Sequence, residues 1–395
     1  MKIIYFNYMA DLYGYSIGST IKAIKLFGAL EKRGHTVSMH WLVKQNNHSG
    51  ATEEQKKARG WRSLARKILF TPKYLLKNIP QLFREIRILK SEKGDVLITR
   101  LDAFRISALW AARLYQLPLI VEADGASSYE WLTFNNGPHL WNKALLWCEK
   151  VMLSRASGVF TQSNEAKDYF IRQHGIAANK IIVITNGADE LSAADEKSLR
   201  LLRGTLGIEQ GNRVIGFLGS MHHWHGVADV PQLIDKVLAQ FDDALFLFVG
   251  KGGALEMELR QKLSGKYAKR VIFTGHVDND KAPDYVRLFT VAIAPYPKID
   301  LFYFSPMKVF EYMAAGKAII ASRIGQITEV LHDDKSAVLY DPGNISELQE
   351  KLVDLLRDES RRIKLGENAR QVFLQGYTWA HKAKELEQFL QTYTL

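Results

Sequence analysis

The chain has a single cysteine in 395 residues, Cys148, so it can form no internal disulfide. That fits a reducing compartment, and the residue itself reads as a small buried apolar side chain. No stretch approaches the roughly 20 apolar residues that a membrane-spanning helix needs. The opening run M-K-I-I-Y-F-N-Y-M is apolar but soon meets Asp11, and it lacks a signal-peptide cleavage pattern. The chain is therefore expected to be soluble or peripheral and to stay in the cytosol. Low-complexity segments are absent, and so is any recognised nucleic-acid module. A hydrophobic content of 47% over this length suits two domains of ordinary size, each with its own core.

Acidic residues are scarce in one region. Residues 56–93 hold twelve Lys or Arg against only Glu85 and Glu92, nearly the whole of the formal +11 charge. The same segment carries Trp61, Phe70, Tyr74, Leu76, Ile79 and Phe83. Cations beside an apolar stripe suit an anionic membrane surface. An ordinary helical pair with a solvated basic face has the same composition, and both readings stand at this point.

Strand and helix patterns alternate along the whole chain, which predicts parallel, doubly wound sheets. In the first half the strands are expected at 2–7, 36–42, 96–99, 119–122, 158–162 and 181–184. Helices are expected at 19–33, 105–115, 165–174 and, rich in aromatics, at 134–156. Asn186-Gly187-Ala188-Asp189 reads as a turn, and the polar run to Ser198 as a linker. The rhythm restarts with strands at 214–218, 245–249, 271–273, 291–294 and 318–321, and closes with helices at 345–357 and 380–393. In such folds a ligand belongs at the carboxyl ends of the strands, here in a cleft between the two lobes.

The densest chemistry lies in S-P-M-K-V-F-E-Y-M-A-A-G, residues 305–316. Ser305 suits the N-cap and Pro306 the first helical position. The N–H groups of Met307 and Lys308 would then point out of the helix start as an anion site, helped by the helix dipole and the Lys308 charge. Glu311, expected in the first turn, is placed to reach past a bound diphosphate to ribose hydroxyls. This segment resembles the donor-binding helix of glycosyltransferase family 4, whose members have the GT-B fold. The family's E-x7-E motif places its second glutamate on Glu311 and its first on Tyr303, a departure. Glu329 falls on a further acidic position common in the family.

Other segments agree with that resemblance. F-L-G-S-M-H-H-W-H-G, residues 217–226, runs from a strand into a glycine turn where amides can approach phosphate. The family often places an Arg and a Lys there for the diphosphate, and those positions look like Ser220 and His225. His222, His223 and His225 are three potential ligands within four residues. They lack helical spacing, so no metal site is expected. By resemblance, the loops at Gly219, at Gly250-Lys251 and at Val277 lie beside the nucleotide. Toward the N-terminus, the Tyr13 to Ser19 turn leads into a helix, and Gly18 partly matches a family glycine pair. Asp124, in E-A-D-G at a strand end, is the candidate contact to the transferred sugar, or simply a turn aspartate.

The resemblance implies two Rossmann-like domains facing across a cleft. An acceptor domain would span 1–190 with the basic insertion 56–93, and a nucleotide-sugar domain 191–376. The C-terminal helix, 377–395, would pack back toward the first domain. It further implies a retaining, metal-independent glycosyltransferase with no permanently bound cofactor. Its donor would be a UDP or GDP sugar, and its acceptor a glycan or lipid-linked molecule of cell-surface polysaccharide or glycoconjugate assembly. Lys308, Glu311 and Asp124 would act at the reacting centre, and Ser305 and Met307 would join the donor site. Rivals are a UDP-sugar epimerase on the same fold and a degenerate partner subunit that binds donor without turnover.

Overall fold

The computed structural model describes residues 1–8, 17–42, 72–134, 142–227, 230–262, 267 and 269–394. The chain divides into two compact units, residues 1–185 with 380–395, and residues 186–379.

The first unit is built on six parallel strands: β1 (Lys2–Asn7), β2 (Thr36–Trp41), β3 (Val96–Arg100), β4 (Leu119–Ala123), β5 (Gly158–Thr161) and β6 (Ile181–Val183). Their spatial order is β2-β1-β3-β4-β5-β6, so the winding direction reverses between β1 and β3. Ile3 to Phe6, Val96 to Ile98 and Leu119 to Val121 are all buried, as continuous apolar runs must be when helices cover both faces. The terminal helix Trp379–Thr394 belongs to this unit over residues 380–394. The Phe389 and Tyr393 rings lie so close to β5 that a side chain at Gly158 would strike them.

The second unit repeats the plan with β7 (Arg213–Leu218), β8 (Ala244–Val249), β9 (Val271–Phe273), β10 (Val291–Ala294), β11 (Ala318–Ser322) and β12 (Val338–Tyr340). The order is β12-β11-β10-β7-β8-β9, all parallel, with the reversal between β7 and β10. Side chains alternate between two cores. Ile215, Phe217, Phe246, Phe248 and Ile293 pack on one face, and Val214, Leu218, Leu245, Leu247 and Ala292 on the other.

Two helical expectations change. Of the long helix expected at 134–156, the described part is Asn142–Arg155, 135–141 lying outside the described residues, and a helix Ser127–Phe134 ahead of it was not expected. A helix at Glu359–Gly376 and the strand β12 had no signal strong enough to be read. The first helix spans Ile17–Glu31, which puts exposed Gly18 inside its first turn rather than in the preceding loop. Residues 9–16 and the basic stretch 56–71 fall outside the described residues.

Candidate functional site

The second unit's site forms where its winding reverses, at the carboxyl ends of β7 and β10. A doubly wound sheet opens a crevice there because consecutive loops leave in opposite directions. The β7–β10 ladder pairs Val291 with Ile215 and Ala292 with Gly216 and then stops. Tyr312, from the helix Met307–Ala314, fills the fork. Its hydroxyl accepts the Leu218 N–H at 2.8 Å and donates to the Ile293 carbonyl at 3.3 Å. This contact fixes the start of that helix beside the end of β7.

Lys308 is the consequence. Its side chain is buried, and its ammonium has no hydrogen-bond partner among the described residues. Nζ lies 3.9 Å from the centre of the Phe217 ring and 5.4 Å from that of Tyr296. A Cβ on Gly219 would sit 3.3 Å from it. Burial pushes the Lys308 pKa down to about 7, against the pull of nearby Glu311. A buried cation with no hydrogen-bonded partner is costly, so the geometry suits an anionic ligand arriving at Gly219. The first N–H groups of the helix lack intrahelical acceptors and add to the same field.

The cap is not the expected one. The helix begins at Met307 with Pro306 as its N-cap and no side-chain capping bond. The Ser305 hydroxyl is buried and occupied, because it accepts the Asn186 N–H at 2.9 Å and lies 2.5 Å from the Gln326 amide oxygen. Ser305 therefore anchors the chain where the second unit begins. Half-buried Glu311 is the fifth helical residue and opens the second turn, not the first. Tyr303 is buried and packs at 4.3 Å from Phe304, so no acid stands there, and Glu329 is exposed on the helix Gln326–Val330.

The glycine loops meet one another. Gly250 has φ +133°, and a Cβ on it would strike the Gly219 carbonyl. Gly219 itself has φ +122°. Only glycine fits either place. Gly219 N–H donates to the Val249 carbonyl at 2.8 Å, Met221 N–H to the Lys251 carbonyl at 3.1 Å, and Gly250 N–H to the Gly275 carbonyl at 3.0 Å. Lys251 contributes its backbone here while its side chain is exposed, and Val277 packs against the core at the end of the series. The Ser220 carbonyl lies 2.5 Å from Nδ1 of His225. Burial, then the Lys308 charge, hold the His225 pKa well below 6.5. The structure thus gathers Gly219, Ser220, His225, Gly250 and Lys308 into one loop cluster. Among the described residues no group of three His, Cys, Asp or Glu is arranged to hold a metal ion.

In the first unit, Asp124 follows β4 at the carboxyl edge of the sheet. Its carboxylate is already engaged on both sides, by Lys22 at Oδ1 and by Arg100 at Oδ2, 3.1 Å away. Lys22 also reaches Glu122 at 3.1 Å, and Tyr5 donates to Glu122 at 2.5 Å. Burial raises the Asp124 pKa, but Lys22 and Arg100 outweigh it and hold the group ionised. The expectation that Asp124 touches a sugar thus meets a carboxylate bound within a buried ion network. Sequence reading missed Lys22, Arg100 and the Phe217 and Tyr296 rings under Lys308. Lys22 left a trace, a cation between Ile21 and Ala23 on the apolar side of its helix.

Comparison with known proteins fits these two units. Residues 21–190 match the model of Glycosyltransferase Family 4, and residues 212–358 that of Glycosyl transferases group 1. A 2-deoxystreptamine glucosyltransferase of Streptomyces kanamyceticus is 25% identical over 69% of this chain and 71% of its own. The phosphatidyl-myo-inositol mannosyltransferase of Mycolicibacterium smegmatis is 30% identical over 46% of this chain and 44% of its own. Among solved structures, Anabaena HepE in complex with UDP-glucose superposes with a TM-score of 0.71 at 19% identity, covering 99% of this chain and all of that one. That likeness establishes the GT-B fold. The two family models account for most of the sequence between them, and the chain is a glycosyltransferase belonging to glycosyltransferase family 4.

Proposed function

We propose that this glycosyltransferase is a retaining enzyme whose donor is a nucleoside-diphosphate sugar of the UDP type. The observation that carries the donor reading is the buried Lys308 ammonium beside Gly219, without a hydrogen-bond partner among the described residues. The solved relative holding UDP-glucose supports the choice of base. In the reaction the bond between the anomeric carbon and the terminal phosphate oxygen breaks through an oxocarbenium-like transition state. Negative charge grows on the leaving diphosphate, where Lys308 and the N–H groups of Met307 and Lys308 meet it without reorganising. The acceptor hydroxyl attacks from the face the leaving group vacates, and its proton passes to the departing phosphate. Glu311 binds the ribose, and the Gly219, Gly250 and Val277 loops line the nucleotide. Asp124 serves as a positioning residue that keeps Lys22 and Arg100 in place. Charge neutralisation by helix and lysine makes a metal unnecessary.

The test is a thermal-shift screen of UDP, GDP and their sugars, followed by calorimetry on Lys308→Ala. Stabilisation by a UDP sugar, lost in a folded Lys308→Ala protein, is expected. Equal binding by wild type and variant would remove Lys308 from the donor site.

We further infer a lipid-linked acceptor in polysaccharide or glycoconjugate assembly, met at the anionic inner face of the cell membrane. The helix Asn78–Glu92 is inverted: Asn78, Gln81, Glu85 and Leu89 are buried, while Ile79 and Phe83 are exposed. Leu76, just before it, is 62% exposed. The neighbouring helix Ser107–Leu114 shares its inner core and also exposes Trp110 and Leu114. Lys73, Lys77, Arg84, Arg87 and Lys90 are exposed around this apolar face. Each cation near an anionic bilayer adds about 1 kcal/mol. No described helix is long and apolar enough to cross a membrane. Co-sedimentation with anionic vesicles that fades with salt is expected, together with its loss in an Ile79→Ser/Phe83→Ser protein. Equal sedimentation of wild type and variant would refute the docking face.

A further inference from the structure

We propose that His225 accepts a hydrogen bond from a hydroxyl of the transferred sugar, and does not contact the diphosphate. The proposal rests on the donor reading above. It starts from the 2.5 Å contact between His225 Nδ1 and the Ser220 carbonyl oxygen. A carbonyl oxygen only accepts, so Nδ1 carries the hydrogen. A neutral imidazole has one such hydrogen, and Nε2 is left as a bare lone pair. Among the described residues no donor reaches Nε2, and the residue is half-buried.

The surroundings keep the ring neutral. It lies 5.7 Å from the Tyr296 ring, edge to face, and 6.4 Å from Phe217. The Lys308 ammonium borders the same two rings. The His222 and Trp224 rings are each about 6 Å away. A second proton would set an imidazolium among these groups, against burial and against the lysine.

The polarity of the site follows. Phosphate oxygens are acceptors and need cations or N–H groups, which Lys308 and the helix start supply. A lone pair facing the same oxygens would repel them. Its partner must bring a hydrogen, and the nearest such groups on the ligand are hydroxyls. The ribose lies on the Glu311 side, whereas the transferred sugar is bonded to the terminal phosphate. Where the family pattern has a lysine, a donor only, this chain presents an acceptor. His225 is thereby a specificity-determining residue that rewards a sugar hydroxyl within reach of Nε2.

Calorimetry tests this with UDP and with the tightest UDP-hexose of a screen, on wild type, His225→Gln and His225→Leu. Glutamine offers an oxygen near the Nε2 position and leucine offers none. UDP affinity is expected to stay within about twofold in both variants. UDP-hexose affinity should survive in His225→Gln and fall about tenfold in His225→Leu, the size of one lost hydrogen bond. Equal losses for UDP and UDP-hexose in His225→Leu would make His225 a diphosphate contact and overturn the proposal. So would unchanged affinity for both. Failure of every probe to bind the wild type rejects the donor reading itself, a separate outcome. Nitrogen NMR of the ligand-free protein gives an independent readout. A neutral Nδ1–H ring from pH 6 to 8 is expected, and an Nε2–H tautomer would refute the assignment.

Discussion

Donor binding should take up a proton, and Lys308 sets the amount. The free protein holds this ammonium buried, with no hydrogen-bond partner among the described residues and a pKa of about 7. A bound diphosphate stabilises the charged form and lifts that pKa. The sign follows from linkage. Below pH 7 the lysine is already charged and the donor binds at full strength. Above pH 7 the free lysine is neutral and must be charged on binding, so affinity falls up to tenfold per pH unit until the pKa of the bound state is reached. At pH 8 the free lysine is about 90% neutral, and binding should take up about 0.9 proton. By pH 8.5 the affinity should be roughly 30-fold below its acid plateau, about 2 kcal/mol. The same depressed pKa makes this group's share of ligand-free stability rise with pH between 7 and 10.5, the opposite sign. The assay is calorimetry with a nucleotide sugar, whose phosphodiester oxygens do not titrate in this range. Phosphate and Tris buffers, with different ionisation enthalpies, give the proton count directly. Lys308→Met should abolish both the uptake and the slope. Proton uptake that persists in that variant, or is absent from the wild type, refutes the reasoning.

Glu311→Gln should weaken donor binding by about 1.5–3 kcal/mol, the range for a hydrogen bond to a charged group. Unchanged affinity in a folded protein would take Glu311 out of the site. Asp124→Asn leaves Glu122 as the main remaining carboxylate facing the buried Lys22 and Arg100 charges among the described residues, and should cost up to about 3–5 kcal/mol in urea unfolding. A variant of full stability that loses activity would instead make Asp124 a substrate contact. Transfer should continue in excess chelator. Complete loss restored by magnesium or manganese would show that lysine and helix dipole do not suffice.

The alternating pattern of the sequence was enough to place nearly every strand, because a run such as Val291–Ala294 or Leu245–Val249 is continuously apolar and short, and helices on both faces of a sheet require that. It missed helix Ser127–Phe134 and started the next helix at 134, whereas its described part is Asn142–Arg155, since aromatic content says little about where a helix begins. The glycine turns at 219 and 250 and a helix beginning near Pro306 were legible because close backbone approach and a helix start demand specific residue types at specific steps. Tertiary packing decided the rest. Pro306 took the cap because the Ser305 hydroxyl was drawn to Asn186 and Gln326, distant in sequence. Asp124 became part of an ion network because the helix Ile17–Glu31 brings Lys22 under the end of β4. The hydrogen on His225 was fixed by the Ser220 carbonyl, and the pKa of Lys308 by the Phe217 and Tyr296 rings around it. Residue type supplies a chemical capacity, but the protonation state and the free valences of a side chain belong to its neighbours in space.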